Sequence, residues 1–338
     1  MSDLRLPPTG WLPVAASWRD GTLWVDWSHF GDTPLREPFF DDQVQRCLRQ
    51  PFNRLFRYTT PIARLPDWLE ANHHLQPDGF IFHMSRCGST LVSQMLGALP
   101  DSIVISEAGP IDTVVDSKRI RPDLSDDERA LWLRWMVCAF GQARRGGERQ
   151  FVLKLDAWHT LDLPLFRRAF PTVPWIFLYR DPMEVLVSHM RQPGIHMVPA
   201  LIKAERFGLE PSVSRRTPAA YRAQVLARIC EPMVQQEALD GGLLINYRQL
   251  PTAVSTSIMP HFGITADTHE QAILAEAASR NAKMPGLAFV ADSTAKQQEA
   301  TVELRDLAEQ WLGNQYRQLE ARRLGEPHMA ACQGVTSR

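Results

Sequence analysis

The chain has 338 residues, 44% of them hydrophobic, enough for one large α/β domain with an appendage. Lys and Arg number 37 against 38 Asp and Glu, a formal net charge of −1, which excludes a general attraction to nucleic acid or to an anionic membrane surface and makes any anion binding local. No run approaches the roughly 18 apolar residues of a membrane span, and the opening MSDLRLPPTGWLP lacks the basic-then-apolar order of a secretory leader.

Five scattered cysteines show no CxxC or His-paired metal spacing. A cytoplasmic protein with reduced, mostly buried thiols is therefore expected, with no membrane or nucleic-acid partner and homo-oligomerisation left open. Residues 1–76 are rich in Trp, Pro and Phe, with Trp11, Trp18, Trp24, Trp27 and Trp68 among them. "SWRDGTLWVDWSHFG" places Asp-Gly between two alternating aromatic runs, a hairpin signal. "DDQVQRCLRQPFNRLF" reads as a short helix stopped by proline. A small β module packed on the main domain is expected, because large aromatics usually supply core area.

From Phe80 strands alternate with helices. "FIFHM" predicts a strand, and "STLVSQMLGAL" has apolar residues at 91, 92, 95, 96 and 99, the helical period. "DSIVIS", "FVLKL", "PWIFLYR" and "LLINY" predict four more strands, separated by the helical stretches "DDERALWLRWMVCAFGQA", "LDLPLFRRAF" and "PMEVLVSHMR" and by an insertion from about 195 to 240. Such alternation predicts a parallel sheet with helices on both faces over 77–325, with ligands at the carboxyl ends of the strands. "TVELRDLAEQWLGNQYRQLEARRL" closes this domain, and 326–338 read as a loose tail.

The turn "SRCGST" between the first of these strands and its helix is where an α/β sheet holds phosphate. A nucleoside triphosphatase loop reads GxxxxGK[ST]; here Ser89 follows Gly88, and His83 stands five positions before that glycine. What remains is a set of backbone N–H groups at Cys87, Gly88, Ser89 and Thr90, a helix N-terminus and one cation, Arg86, which suits a phosphate ester without a metal. A second stretch, "WIFLYRDPMEVLVSHM", carries Arg180 at a strand end, Pro182 at a helix start and Ser188 further along the helix.

Together these residues resemble the PAPS-dependent sulfotransferases, whose donor is 3′-phosphoadenylyl sulfate (PAPS). Arg86, Cys87, Gly88, Ser89 and Thr90 are similar to the family's 5′-phosphosulfate loop. Arg180, Asp181, Pro182, Val185 and Ser188 match its 3′-phosphate stretch, about 90 residues on. The resemblance implies that the parallel sheet is of the P-loop type. It implies a nucleotide carrying two separate phosphates, no triphosphate and no metal, with the core spanning about 78–290.

It also implies the transfer groups. Lys154, 26 residues before Arg180, looks like the family's strand-end lysine on the transferring or leaving oxygens. Cytosolic members have a histidine two residues later, where this chain has Asp156; tyrosylprotein-type and many bacterial members use a glutamate after the second strand, as at Glu107. Glu107 is taken as the base and Asp156 as the reserve, while His83 and His159 read as structural or pocket-lining. A working carboxylate base is expected to be partly desolvated, which raises its pKa.

Tyr247 in "LLINYRQLP" is expected near the adenine, although Arg248 replaces the family's acidic residue. Arg280 or Lys283 in "SRNAKMPG" is expected to close on the 3′-phosphate. The segment 190–240 is placed to cover a small or medium organic acceptor. The expected activity is sulfuryl transfer from PAPS to a hydroxyl or amine; the alternatives are an ATP-dependent P-loop phosphotransferase and a nucleotide-binding scaffold without catalysis.

Overall fold

The structure, a computed structural model, describes residues 6–199, 201–236, 239–280, 282 and 292–325. The expected tail 326–338 and Lys283 lie outside the described residues. Two sheets form. The first is antiparallel, in the order β1 (Trp11–Arg19), β2 (Thr22–His29), β3 (Tyr58–Pro61). Asp20 and Gly21 turn the β1–β2 hairpin with φ of 47° and 75°, the left-handed pair that matches strand twist.

This sheet and its helices are built on aromatic burial. Trp27 and Trp68 are buried with ring centroids 4.8 Å apart, and the Trp27 indole donates to Thr60 Oγ1. Phe40 meets Phe140 edge-on and the Gly10 N–H donates to Gln142 Oε1, which ties the segment to the rest of the chain. The expected helix forms over Phe40–Leu48, but Pro51 then opens a second short helix, Pro51–Leu55. A proline at the first helical position loses no bond, so here it starts a helix as well as ending one.

The second sheet has five parallel strands in the order β5 (Ser102–Ser106), β6 (Gln150–Lys154), β4 (Gly79–His83), β7 (Trp175–Tyr179), β8 (Gly242–Asn246). All five are the strands expected from the sequence. β4 and β7 are buried at every position, as the unbroken runs "FIF" and "WIFLY" require of strands covered on both faces. The chain leaves β4 for the β5 edge, returns to β6 and then crosses to β7, so β4 lies at the point where connections diverge. That is where a crevice opens beyond the carboxyl ends.

The helices begin where the sequence signals them. Ser125 and Glu128 form a capping box for Asp126–Phe140, and Asp181 caps Pro182–Arg191 by accepting from the Met183 and Glu184 N–H groups. The insertion resolves into short 3-10 turns and the long helix Pro218–Gln235. No helix among the described residues is long and apolar enough to cross a membrane. Cys47, Cys87, Cys138 and Cys230 are free and buried.

Candidate active site

The site gathers at the carboxyl ends of all five parallel strands. After β4 the chain makes a tight loop in which Ser85, Arg86 and Gly88 take φ of 76°, 51° and 90°. This turns successive N–H groups to one side. Gly88 is also the N-cap of helix Ser89–Ala98, and no side chain caps that helix. Its first-turn donors therefore face the loop without an intrahelical partner, and the helix dipole adds positive potential.

Gly88 is required for two reasons. Its backbone is left-handed, and a Cβ there would lie 2.6 Å from Leu250 Cδ1 and 2.9 Å from Tyr247 Cδ2. Cys87 contributes only its backbone. Its thiol is buried beneath the loop, donates to Leu178 O at 3.1 Å, and is pushed up to about 12 by burial. Arg86 Nη2 donates to Gln192 O at 2.7 Å, which reaches the segment beyond helix Pro182–Arg191.

On one side of the loop stand the transfer candidates. Lys154 ends β6 and Glu107 follows β5, and Lys154 Nζ donates to Glu107 Oε1. The lysine side chain is 0% exposed and the glutamate 24%. Glu107 has φ of 56°, a conformation uncommon for a residue with a Cβ. His83 accepts the Ser85 N–H on Nδ1, so its Nε2 carries the proton that goes to Leu155 O, with Glu107 Oε1 3.4 Å away. The Phe39 ring, from the aromatic N-terminal segment, lies 4.9 Å from Lys154 Nζ.

Burial alone raises the Glu107 pKa, but Lys154 and His83 outweigh it and hold the carboxyl well below the usual range. The expected rise is thus reversed at Glu107. It occurs instead at Asp156, which burial pushes up to about 8, with Glu107 and Asp112 adding to the rise and His159 and Lys154 opposing it. The Asp156 carboxylate accepts the His159 N–H and caps the turn Ala157–Asp162.

His159 Nε2 lies 2.9 Å from Asp112 Oδ1, which also accepts from the Trp158 indole at 2.7 Å. Asp112, Asp156 and His159 bring ligand atoms within 4.8 Å of one another. These three residues could hold a cation, but Asp112 is already engaged by His159 and Trp158, and His159 Nδ1 accepts from the Asp156 N–H at 3.3 Å.

On the other side, Arg180 ends β7. It does not pair with its neighbour Asp181, which caps the helix; it pairs with Glu184 and Asp292. Tyr247 lies just beyond β8, packs against the loop glycine, and holds its ring 3.9 Å from the Arg180 guanidinium carbon. Ser188 is half-buried and follows Glu184 by one helical turn on the same helix. Arg280 ion-pairs with Glu276 and lines a groove of about 400 Å3 with Arg36, Glu37, Ser93 and Ser106.

Several residues of the site carry no motif. Phe39, Asp292 and Lys296 reach it from distant parts of the chain. His196 lies in the segment expected over the acceptor; it is buried, its Nε2 has no hydrogen-bond partner among the described residues, and burial pushes it down to about 3. Only Glu184, four residues after Arg180 on the helix face, had a readable signal.

No protein-family model and no curated protein matches the chain. Among solved structures, it is similar to the sulfotransferase domain from the curacin biosynthetic pathway, with 15% identity and a TM-score of 0.42 over 75% of this chain and 99% of that one. The sulfotransferase domain of the Synechococcus PCC 7002 olefin synthase matches with 17% identity and a TM-score of 0.40 over 74% and 95%. The sulfotransferase from Alicyclobacillus acidocaldarius matches with 16% identity and a TM-score of 0.42 over 75% and 98%.

Proposed function

We propose that the chain is a PAPS-dependent sulfotransferase acting on a hydroxyl or amine of a small or medium organic acceptor. The observation that carries this reading is the bridge made by Tyr247, which packs on the Gly88 loop with one edge and covers Arg180 with its face. Two anion-directed features therefore flank one aromatic ring. That arrangement supports a nucleoside with phosphates at two positions, and it does not suit a triphosphate, which would need the absent loop lysine.

The donor supplies an electrophilic sulfuryl group on a phosphate oxygen. In this reading the loop N–H groups and Arg86 hold the phosphosulfate, Arg180 and Ser188 the other phosphate. Lys154 turns from Glu107 toward the bridging oxygen as that oxygen gains charge. Loss of the cation removes the chief force depressing Glu107, and the buried carboxylate becomes the stronger base.

Glu107 then takes the acceptor proton while the acceptor oxygen or nitrogen bonds to sulfur and the bond from sulfur to the bridging oxygen breaks, that oxygen leaving with its electron pair on the nucleotide's phosphate. The base is thus quiet until the donor engages the lysine. Asp156 is the weaker candidate, because it is protonated near neutral pH and committed as a cap.

Calorimetric titration with adenosine 3′,5′-bisphosphate, AMP, and ATP with magnesium tests the donor. Preference for the bisphosphate, lost in Arg180→Ala, supports the reading and justifies assays of acceptors with PAPS. Tighter binding of ATP with magnesium replaces it with a phosphotransferase.

A further inference from the structure

The charge of the Arg180 guanidinium is already met by the protein's own carboxylates. Nε donates to Glu184 Oε2 at 2.6 Å, and Nη2 donates to Asp292 Oδ1 at 2.7 Å and to Ser293 Oγ at 3.1 Å. The second oxygen of Asp292 accepts from Lys296 Nζ at 2.7 Å. Two cations and two carboxylates cancel. In this arrangement the cluster offers a phosphate dianion no net attraction.

The four members differ in how freely they can leave. Arg180 and Lys296 side chains are each 4% exposed and Glu184 5%, whereas Asp292 is 39% exposed. Glu184 is further held by Ser293 Oγ and Gln297 Nε2, each at 3.1 Å. Asp292 can turn into solvent without uncovering core; the other three cannot. Its two oxygens bridge Arg180 and Lys296 as two oxygens of a phosphate would. A buried lysine whose one carboxylate partner among the described residues is half-exposed keeps its charge at a desolvation cost that apolar packing would avoid.

Resting on the nucleotide reading above, we propose that Asp292 is an internal counter-anion that closes the Arg180 site, and that Lys296 is the second cation that receives the nucleotide's remote phosphate once Asp292 turns away. Lys296 is a cation beside Arg180 that no motif announced, and Lys283 lies outside the described residues. Arg280 itself is paired with Glu276.

Calorimetric titration of the full chain with adenosine 3′,5′-bisphosphate and with AMP, which lacks the remote phosphate, separates the outcomes. Asp292→Asn is expected to tighten the bisphosphate about tenfold, a like-charge effect reduced by exposure, and to leave AMP unchanged. Lys296→Gln is expected to weaken the bisphosphate about tenfold, again sparing AMP. The ratio of the two affinities is the readout, since a merely structural change moves both nucleotides together.

Asp292→Ser, which drops the charge with a smaller side chain, must show the same sign and serves if the asparagine variant does not fold. If the wild type prefers the bisphosphate, loses that preference in Arg180→Ala, and gains nothing in Asp292→Asn or Asp292→Ser, the counter-anion role is overturned while the nucleotide reading stands. If neither the wild type nor either Asp292 variant prefers the bisphosphate, the nucleotide reading falls and the inference with it.

Discussion

Lys154 and Arg180 end the two strands that flank β4, so one buried cation stands on each side of the loop after that strand. They are held in opposite ways. Lys154 has a single carboxylate partner among the described residues, Glu107, with a neutral imidazole beside it and an aromatic face over it. Arg180 has two carboxylates and a hydroxyl. A cation with one carboxylate partner can change partners during a reaction; one held between two carboxylates first has to be released. In the proposed sulfuryl transfer, the Lys154 side would carry the chemistry and the Arg180 side controlled binding.

The sharpest way to break this comparison is to remove the lysine. Lys154→Met should lower the rate of sulfuryl transfer by at least about 10²-fold, the scale of losing one preorganised charge-stabilising donor, and should also lower the melting temperature because Glu107 is left half-buried and unpaired. A rate within tenfold of wild type would make the pair structural.

Next come Glu107→Gln and Arg180→Ala, read against each other in steady-state kinetics with PAPS. The first should lower kcat by about 10²–10⁴ with the nucleotide KM nearly unchanged. The second should mainly raise that KM. Similar mild changes in both would erase the distinction between the two sides.

A smaller effect sharpens the transfer side. Asp156 has a folded pKa near 8 against a free value of 3.8. Between those values the folded state holds a proton that the unfolded state releases, so the stability this group contributes is complete below about pH 4 and is lost as pH rises through about 8. Asp156→Asn stays neutral. It should flatten the fall in melting temperature between pH 6 and 9 by about 3 °C or more; an unchanged slope would show Asp156 ionised at neutrality.

The smallest effect belongs to Phe39. Phe39→Leu should keep the fold and reduce transfer by about two- to fivefold, the worth of a partly buried cation–aromatic contact. Larger losses in nucleotide binding than in turnover would place the ring on the wrong side of the comparison.

The parallel sheet was legible because its strands are short apolar runs between periodic helices, and "WIFLY" can hardly be anything else. The loop was legible because Gly88 and its polar neighbours sit where a strand meets a helix. The partners of Arg180 were not. Asp292 lies 112 residues away, and no periodicity joins it to "YRDP"; the adjacent Asp181, the obvious partner in sequence, is used as a helix cap.

The protonation of the two acids was hidden for a related reason. Glu107 and Asp156 are both desolvated, and the distance of each from its charged neighbours, Lys154 and His83 for Glu107 and His159, Glu107, Asp112 and Lys154 for Asp156, decides which of them falls. The sequence supplies residue types and spacing along the chain, but not those distances. Phe39 illustrates the same limit, since its neighbours predict only a helix start.

The buried Cys87 thiol has a practical consequence. Its sulfur lies under the loop and donates to Leu178 O, so an alkylating reagent can reach it only when the loop lifts from the sheet. The rate of its modification is then a clock for that opening, read by mass spectrometry without any knowledge of the acceptor. A nucleotide that pins the loop should slow the clock, so binding can be ranked from labelling kinetics alone.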